Sequence, residues 1–181
     1  MRYLTVLLLA VVYIAPDAHA QQGSYGVNLG FGLAKALGEG SEDMSLGPSL
    51  IGGVSYGLND NVRASIEASY TDVFTNDTIP ITAGTAIVGL TAGVKASTST
   101  DPFSFHLQGG GGFARVKAYV DFANIEAVEN GGMMFVEGGA RISFTEVFGL
   151  MLVVGYNRTI GVGEEAFQWM PVRLNLVFNR R

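Results

Sequence analysis

From Ser24 onward apolar and polar residues alternate with period two along almost the whole chain. Successive strand residues point to opposite faces, so this alternation predicts strands with one face held away from water. In "YGVNLGFGL" the apolar set is Tyr25, Val27, Leu29, Phe31 and Leu33, against Gly26, Asn28, Gly30 and Gly32. In "NVRASIEASYT" it is Val62, Ala64, Ile66, Ala68 and Tyr70, and in "GMMFVEGGARISF" Glu137, Gly139, Arg141 and Ser143 share one face. Eight strands are predicted, at about residues 24–37, 49–58, 61–73, 81–97, 103–119, 132–144, 147–159 and 169–179. The connections alternate in length. Those after the second, fourth and sixth strands are short; "GEGSEDMSLGP", "TNDTIP", "DFANIEAVENGG" and "IGVGEEAFQ", after the others, are longer.

The first twenty residues break the pattern. Arg2, the apolar run Leu4 to Ile14, and small Ala18 and Ala20 form a secretory signal with cleavage expected after Ala20. The run is shorter than the about 20 apolar residues a spanning helix needs. The domain then comprises residues 21–181, and because the leader removes one cation and one carboxylate the net charge stays at −5. This acidity argues against a nucleic-acid partner, whose binders carry basic patches. The absence of cysteine excludes a disulfide scaffold.

Charge is distributed unevenly. Glu39, Glu42, Asp43, Asp77, Asp121, Glu126, Glu129, Glu164 and Glu165 fall in the predicted long loops, with Asp72 beside one of them, and no Lys or Arg joins them. The ten cations of the exported chain lie in strands or at the C-terminus. One end of the molecule is acidic.

Alternation does not say whether the greasy face of a barrel points in or out; the polar face decides. It consists mainly of Gly, Ser, Thr, Ala and Asn around a few long side chains, Arg63, Glu67, Lys95, His106, Arg115, Glu137, Arg141 and Arg173. An eight-stranded interior is just wide enough for side chains to fill, and small residues around a few long ones suit it. The apolar face then meets lipid. It is flanked by Tyr25, Phe103, Phe105, Phe144, Phe148 and Phe178 towards the short turns and by Phe31, Tyr70, Phe135, Tyr156 and Trp169 towards the long loops.

With aromatic girdles, short and long connections in alternation and an even strand count, the chain resembles the OmpA/OmpX-type family of small outer-membrane barrels. The resemblance implies an all-β, eight-stranded antiparallel up-and-down transmembrane barrel, monomeric and integral to the bacterial outer membrane. Its partners would be outer-membrane lipids and lipopolysaccharide, the outer-membrane insertion machinery and an extracellular ligand. Family members end on an alternating strand with a terminal aromatic; here Val172, Leu174, Leu176 and Phe178 supply it, followed by Asn179, Arg180 and Arg181.

Four local expectations follow. An ionised residue facing lipid at the midplane costs about 2–4 kcal/mol, so Glu137 and Arg141 should turn inward. Folding the fifth and sixth strands about Glu126 places Arg115 opposite Glu137 as an ion pair. "GGGG" at 109–112 is expected to form a bulge, because uninterrupted parity would aim Arg115 and Lys117 at lipid. Pro171 is expected near the loop-side rim.

Catalytic signals are weak. His106 is the one histidine after the leader; the family's deacylases carry His-x-Ser on the last strands, whereas here Gln108 follows two residues on. "GGGGFA" matches G-x-G-x-x-A but lacks the βαβ setting that fingerprint requires. No EF-hand spacing marks the acidic loops as a metal site, and no cofactor is implied. The leading functional expectation is a non-enzymatic barrel with a structural or surface-interaction role through its acidic loops. A narrow pore for ions or small solutes, a lipid-modifying enzyme and a soluble lipocalin-like carrier are the alternatives.

Overall fold

A computed structural model of the chain describes residues 23–38, 41, 44–74, 83–100, 102–120, 125–162 and 166–180. The predicted leader, the acidic residues Glu39, Glu42, Asp43, Asp77, Asp121, Glu164 and Glu165, and Arg181 lie outside these residues.

Eight strands follow in chain order: β1 (Tyr25–Leu37), β2 (Gly47–Gly57), β3 (Val62–Phe74), β4 (Ala83–Thr100), β5 (Phe103–Val120), β6 (Ile125–Ser143), β7 (Phe148–Ile160) and β8 (Gln168–Arg180). Each pairs antiparallel with its neighbours in sequence, and β1 pairs with β8 to close the barrel. Closure leaves no sheet edge within the wall, the condition for a sheet to cross a bilayer. The ends of β1 and β8, Tyr25 opposite Arg180, lie at the same end as the short turns. We call this the turn end and the opposite one the loop end.

The outer face is apolar. Leu29, Phe31, Leu50, Val54, Ile66, Val88, Leu90, Val94, Leu152 and Val154 are each between 46% and 57% exposed, a surface that would aggregate in water. At the turn end aromatic rings touch around the rim: Tyr25 with Tyr56 at 5.2 Å, Phe144 with Phe148 at 5.7 Å and Phe148 with Phe178 at 5.3 Å between centroids.

β4 and β5 lie within three residues of the expected fourth and fifth strands, and the difference from the sequence expectation is at the sixth, which begins at Ile125 rather than near residue 132. β4 and β5 are 18 residues long and β6 is 19, against 11 to 13 for the others. Most of the predicted long loop "DFANIEAVENGG" is strand, with Glu126 and Glu129 in β6. β6 meets β7 only from Gly132 onward, opposite Ile160, so its first residues stand on the β5 hairpin above the rim.

The expected bulge at Gly109–Gly112 is absent. Pairing with β4 and with β6 runs through these glycines without a step. Arg115 therefore keeps the parity of Phe103, Phe105 and Phe113 and faces outward. Phe103 to Phe113 rises about 33 Å along the strand at ~3.3 Å per residue. Tilted by about 40°, that is an apolar band about 25 Å tall. Arg115 and Lys117 lie just past it, where water and headgroups solvate a cation, so no register shift is needed. Pro171 sits near the loop end of β8, as expected, and interrupts the β7 ladder between Val172 and Trp169 without changing the register.

Candidate functional site

The barrel interior is built by placing a large side chain opposite an inward-facing glycine. Glu67 is opposite Gly53, His106 opposite Gly139, Glu137 opposite Gly155 and Asn175 opposite Gly30. A Cβ at Gly53 would come within 2.6 Å of Glu67 Cγ, and one at Gly155 within 2.8 Å of Glu137 Cγ. The glycines supply space for charged chains to lie flat across the lumen.

A polar layer crosses mid-barrel. Glu67 accepts from Asn28 Nδ2 at 3.0 Å and from Gln108 Nε2 at 2.7 Å, and Gln108 also reaches Ser65 Oγ at 3.1 Å. Glu137 pairs with Arg173. Glu67, Gln108, Glu137 and Arg173 are all buried, so both carboxylates depend on these partners for the solvation they have lost.

The expected Arg115–Glu137 pair does not form. The β5–β6 register sets Arg115 opposite Asn130 and Gln108 opposite Glu137, and Arg115 is on the outer surface. The pairing of Val120 with Ile125 leaves Glu126 within the ladder rather than at its centre, shifting the partner by seven positions and onto the other face. Arg173 takes the role instead. The other predicted inward groups, Arg63, Lys95, His106 and Arg141, do face the lumen, all nearer the turn end. Arg63 donates to Ser55 Oγ at 3.2 Å and to the Ser24 carbonyl at 3.3 Å. With the Asn179 amide turned to present its oxygen, Arg141 donates to it at 2.6 Å.

Towards the loop end the lumen is greasy, which the sequence reading did not foresee. Ala34, Ile87, Ala114, Val116, Met133, Val162 and Trp169 pack into one buried cluster. Trp169 is 1% exposed and stacks against Phe167 at 5.9 Å. Its indole Nε1 donates to the Asn157 amide oxygen at 3.0 Å once that amide is turned towards it. Phe135 is also inside, its ring over Gly93 and Gly110. Trp169 and Phe135 are thus not girdle residues. The signal was their parity: each falls in step with the inward residues Arg173 and Glu137 of its own strand.

On the outside, the loop-end rim is polar. Asp72 accepts from Tyr70 Oη at 3.1 Å and from Tyr119 Oη at 3.0 Å, and Tyr156 Oη donates to Gln168 at 2.8 Å. Lys117 pairs with Glu126 at 2.6 Å, both well exposed. Lys35, Arg115 and Arg158 also face outward at this end.

Residues 4–168 match the family described as outer membrane protein beta-barrel domain. The chain belongs to this family. Solved structures of outer-membrane barrels share its fold. The Neisserial surface protein A superposes with a TM-score of 0.69 at 16% identity, over 87% of this chain and 99% of that one. Ail, the attachment invasion locus protein of Yersinia pestis, gives 0.58 at 11% identity over 88% and 100% in its complex with the heparin analogue sucrose octasulfate. OprG of Pseudomonas aeruginosa gives 0.56 at 11% over 92% and 100%. No curated protein matches the sequence. This outer membrane protein beta-barrel domain is thus an eight-stranded barrel of the bacterial outer membrane.

Within that frame the barrel offers little for catalysis. His106 faces Lys95 and Arg141 rather than a carboxylate, and Ser97 lies opposite it across the β4–β5 pair. A nucleophile–base pair needs a third group to orient the base, and none is placed here among the described residues. Among them, too, no three His, Cys, Asp or Glu side chains cluster as metal ligands.

Proposed function

We propose that this barrel is a non-enzymatic surface protein: its lumen is plugged, its loop end faces the cell exterior, and its interactions are made there. The observation that carries the reading is the double closure of the lumen, by the Glu67–Gln108 and Glu137–Arg173 layer and by the Trp169 cluster above it. A barrel sealed in this way works from its surface. The tall β5–β6 hairpin, carrying Glu126 and Glu129 in β6, stands at that end, where an extracellular ligand would meet it.

The outward cations Lys35, Arg115, Lys117 and Arg158, just past the apolar band, support contact with the phosphates of lipopolysaccharide, since arginine and lysine are the residues that recognise phosphate. Acidic loop residues next to such phosphates can share divalent cations with them. The experiment exploits the absence of cysteine. Cysteine placed at Glu126 should react with a membrane-impermeant maleimide on intact cells. Labelling only after the outer membrane is broken would reverse the orientation and remove the proposed role. Lipid A mass spectra should be unchanged by expression; a new acyl pattern would restore the enzyme.

A further inference from the structure

The inner wall of the described barrel carries four basic side chains, Arg63, Lys95, Arg141 and Arg173, against two carboxylates, Glu67 and Glu137. Their arrangement is as uneven as their number. Both carboxylates belong to the mid-barrel layer and are already engaged, Glu67 by Asn28 and Gln108 and Glu137 by Arg173. Arg63, Lys95 and Arg141 lie one step closer to the turn end, beside His106. Among the described residues no carboxylate forms an ion pair with any of these three; Arg63 is satisfied by a hydroxyl and a carbonyl, Arg141 by an amide.

These groups share one chamber. Lys95 is the cross-strand partner of Arg63; it feels the attraction of Glu67 and Glu137 on one side and the repulsion of Arg63 and Arg141 on the other, while Arg141 is repelled by Arg63 and His106 faces Lys95 and Arg141. The chamber is reachable from water. Lys95, His106, Arg141 and Asn179 are partly exposed although they point inward, whereas Gln108 and Arg173, one layer deeper, are 2% exposed. Arg141 Nε is buried without a partner. Three like charges converging in a walled pocket repel one another, and the low-dielectric wall focuses the field. An anion carrying several acceptor oxygens relieves that repulsion and offers Arg141 Nε the acceptor it lacks.

We infer that the turn-end vestibule of the barrel is a binding site for a soluble phosphate-class oxyanion, held by Arg63, Lys95 and Arg141 with His106 at its wall. Guanidinium groups bind tetrahedral oxyanions through paired N–H donors, and Lys95 adds a point charge. The site is independent of the proposed role of the loop end, which lies beyond the Trp169 plug.

The test uses residues 21–181 folded in a detergent without phosphate groups. Within residues 21–181 His106 is the one histidine, so its imidazole NMR signals report on the vestibule directly. Inorganic phosphate, titrated against chloride at matched ionic strength, should shift those signals saturably and raise the thermal unfolding midpoint. Lys95→Met and Arg141→Gln should each weaken phosphate binding by about tenfold, the scale of losing a charge-assisted contact. Heat-modifiable gel mobility verifies that the variants are folded, and Lys117→Gln, on the outer surface, should bind as the parent does. Identical responses to phosphate and chloride would overturn the inference, as would full binding by a folded variant lacking both Lys95 and Arg141. An effect produced only by a phosphate-headed lipid added to the micelle would also overturn it.

Discussion

At the scale of single residues, the interior works through unequal pairs. A glycine on one strand gives its neighbour room to lay a charged chain across the lumen, as Gly155 does for Glu137 and Gly53 for Glu67. Gly155→Val should therefore destabilise the barrel by about 1–3 kcal/mol through overpacking, read from chemical unfolding in detergent. Removing one half of the Glu137–Arg173 pair should cost more. Arg173→Met leaves a buried carboxylate uncompensated, an effect of about 3–5 kcal/mol; pairing it with Glu137→Gln should recover much of the loss. A double variant no more stable than R173M alone would show that Glu137 is satisfied by other groups. The exposed Lys117–Glu126 pair should contribute within about 1 kcal/mol. Of these features, the inward direction of Glu137, Arg141, Arg63 and Lys95 was legible in the sequence. The partner of Glu137 was not, because parity reveals the face a residue takes but not the strand that meets it across the lumen.

At the scale of elements, the eight strands and their order follow from alternation alone, since lipid on one side and a filled lumen on the other make one-residue slips costly. The errors cluster where that constraint stops. Past the apolar band a strand can carry Arg115, Lys117, Glu126 or Asn130 outward and still pair, so β6 begins at Ile125, seven residues before the hydrophobic pattern becomes visible. The same false boundary moved the hairpin centre and created the Arg115–Glu137 pair, while taking the apolar band to extend past Phe113 called for a bulge that the glycines do not make. The band itself gives a test. Leu90, exposed on β4 between Val88 and Val94, should face lipid near the midplane, so Leu90→Arg should cost about 2–4 kcal/mol. Arg at Ala86, nearer the rim, should cost little. Equal costs at the two positions would mean that the band is misplaced.

At the scale of the whole molecule, three zones stack along the lumen: a cationic vestibule at the turn end, a hydrogen-bonded charged layer in the middle and an apolar plug beneath the loops. The plug escaped the sequence reading because Trp169, Phe135, Ile87 and Met133 resemble lipid-facing residues in composition; only their parity distinguishes them. The zones together close the lumen, as the proposed surface role requires, and conductance is the property that separates this from a pore. Residues 21–181, purified, refolded and inserted into a planar bilayer, should leave the membrane current at its baseline. Discrete conductance steps that persist after dilution of the detergent, and change size in Trp169→Ala, would show that the lumen opens and would contradict the account.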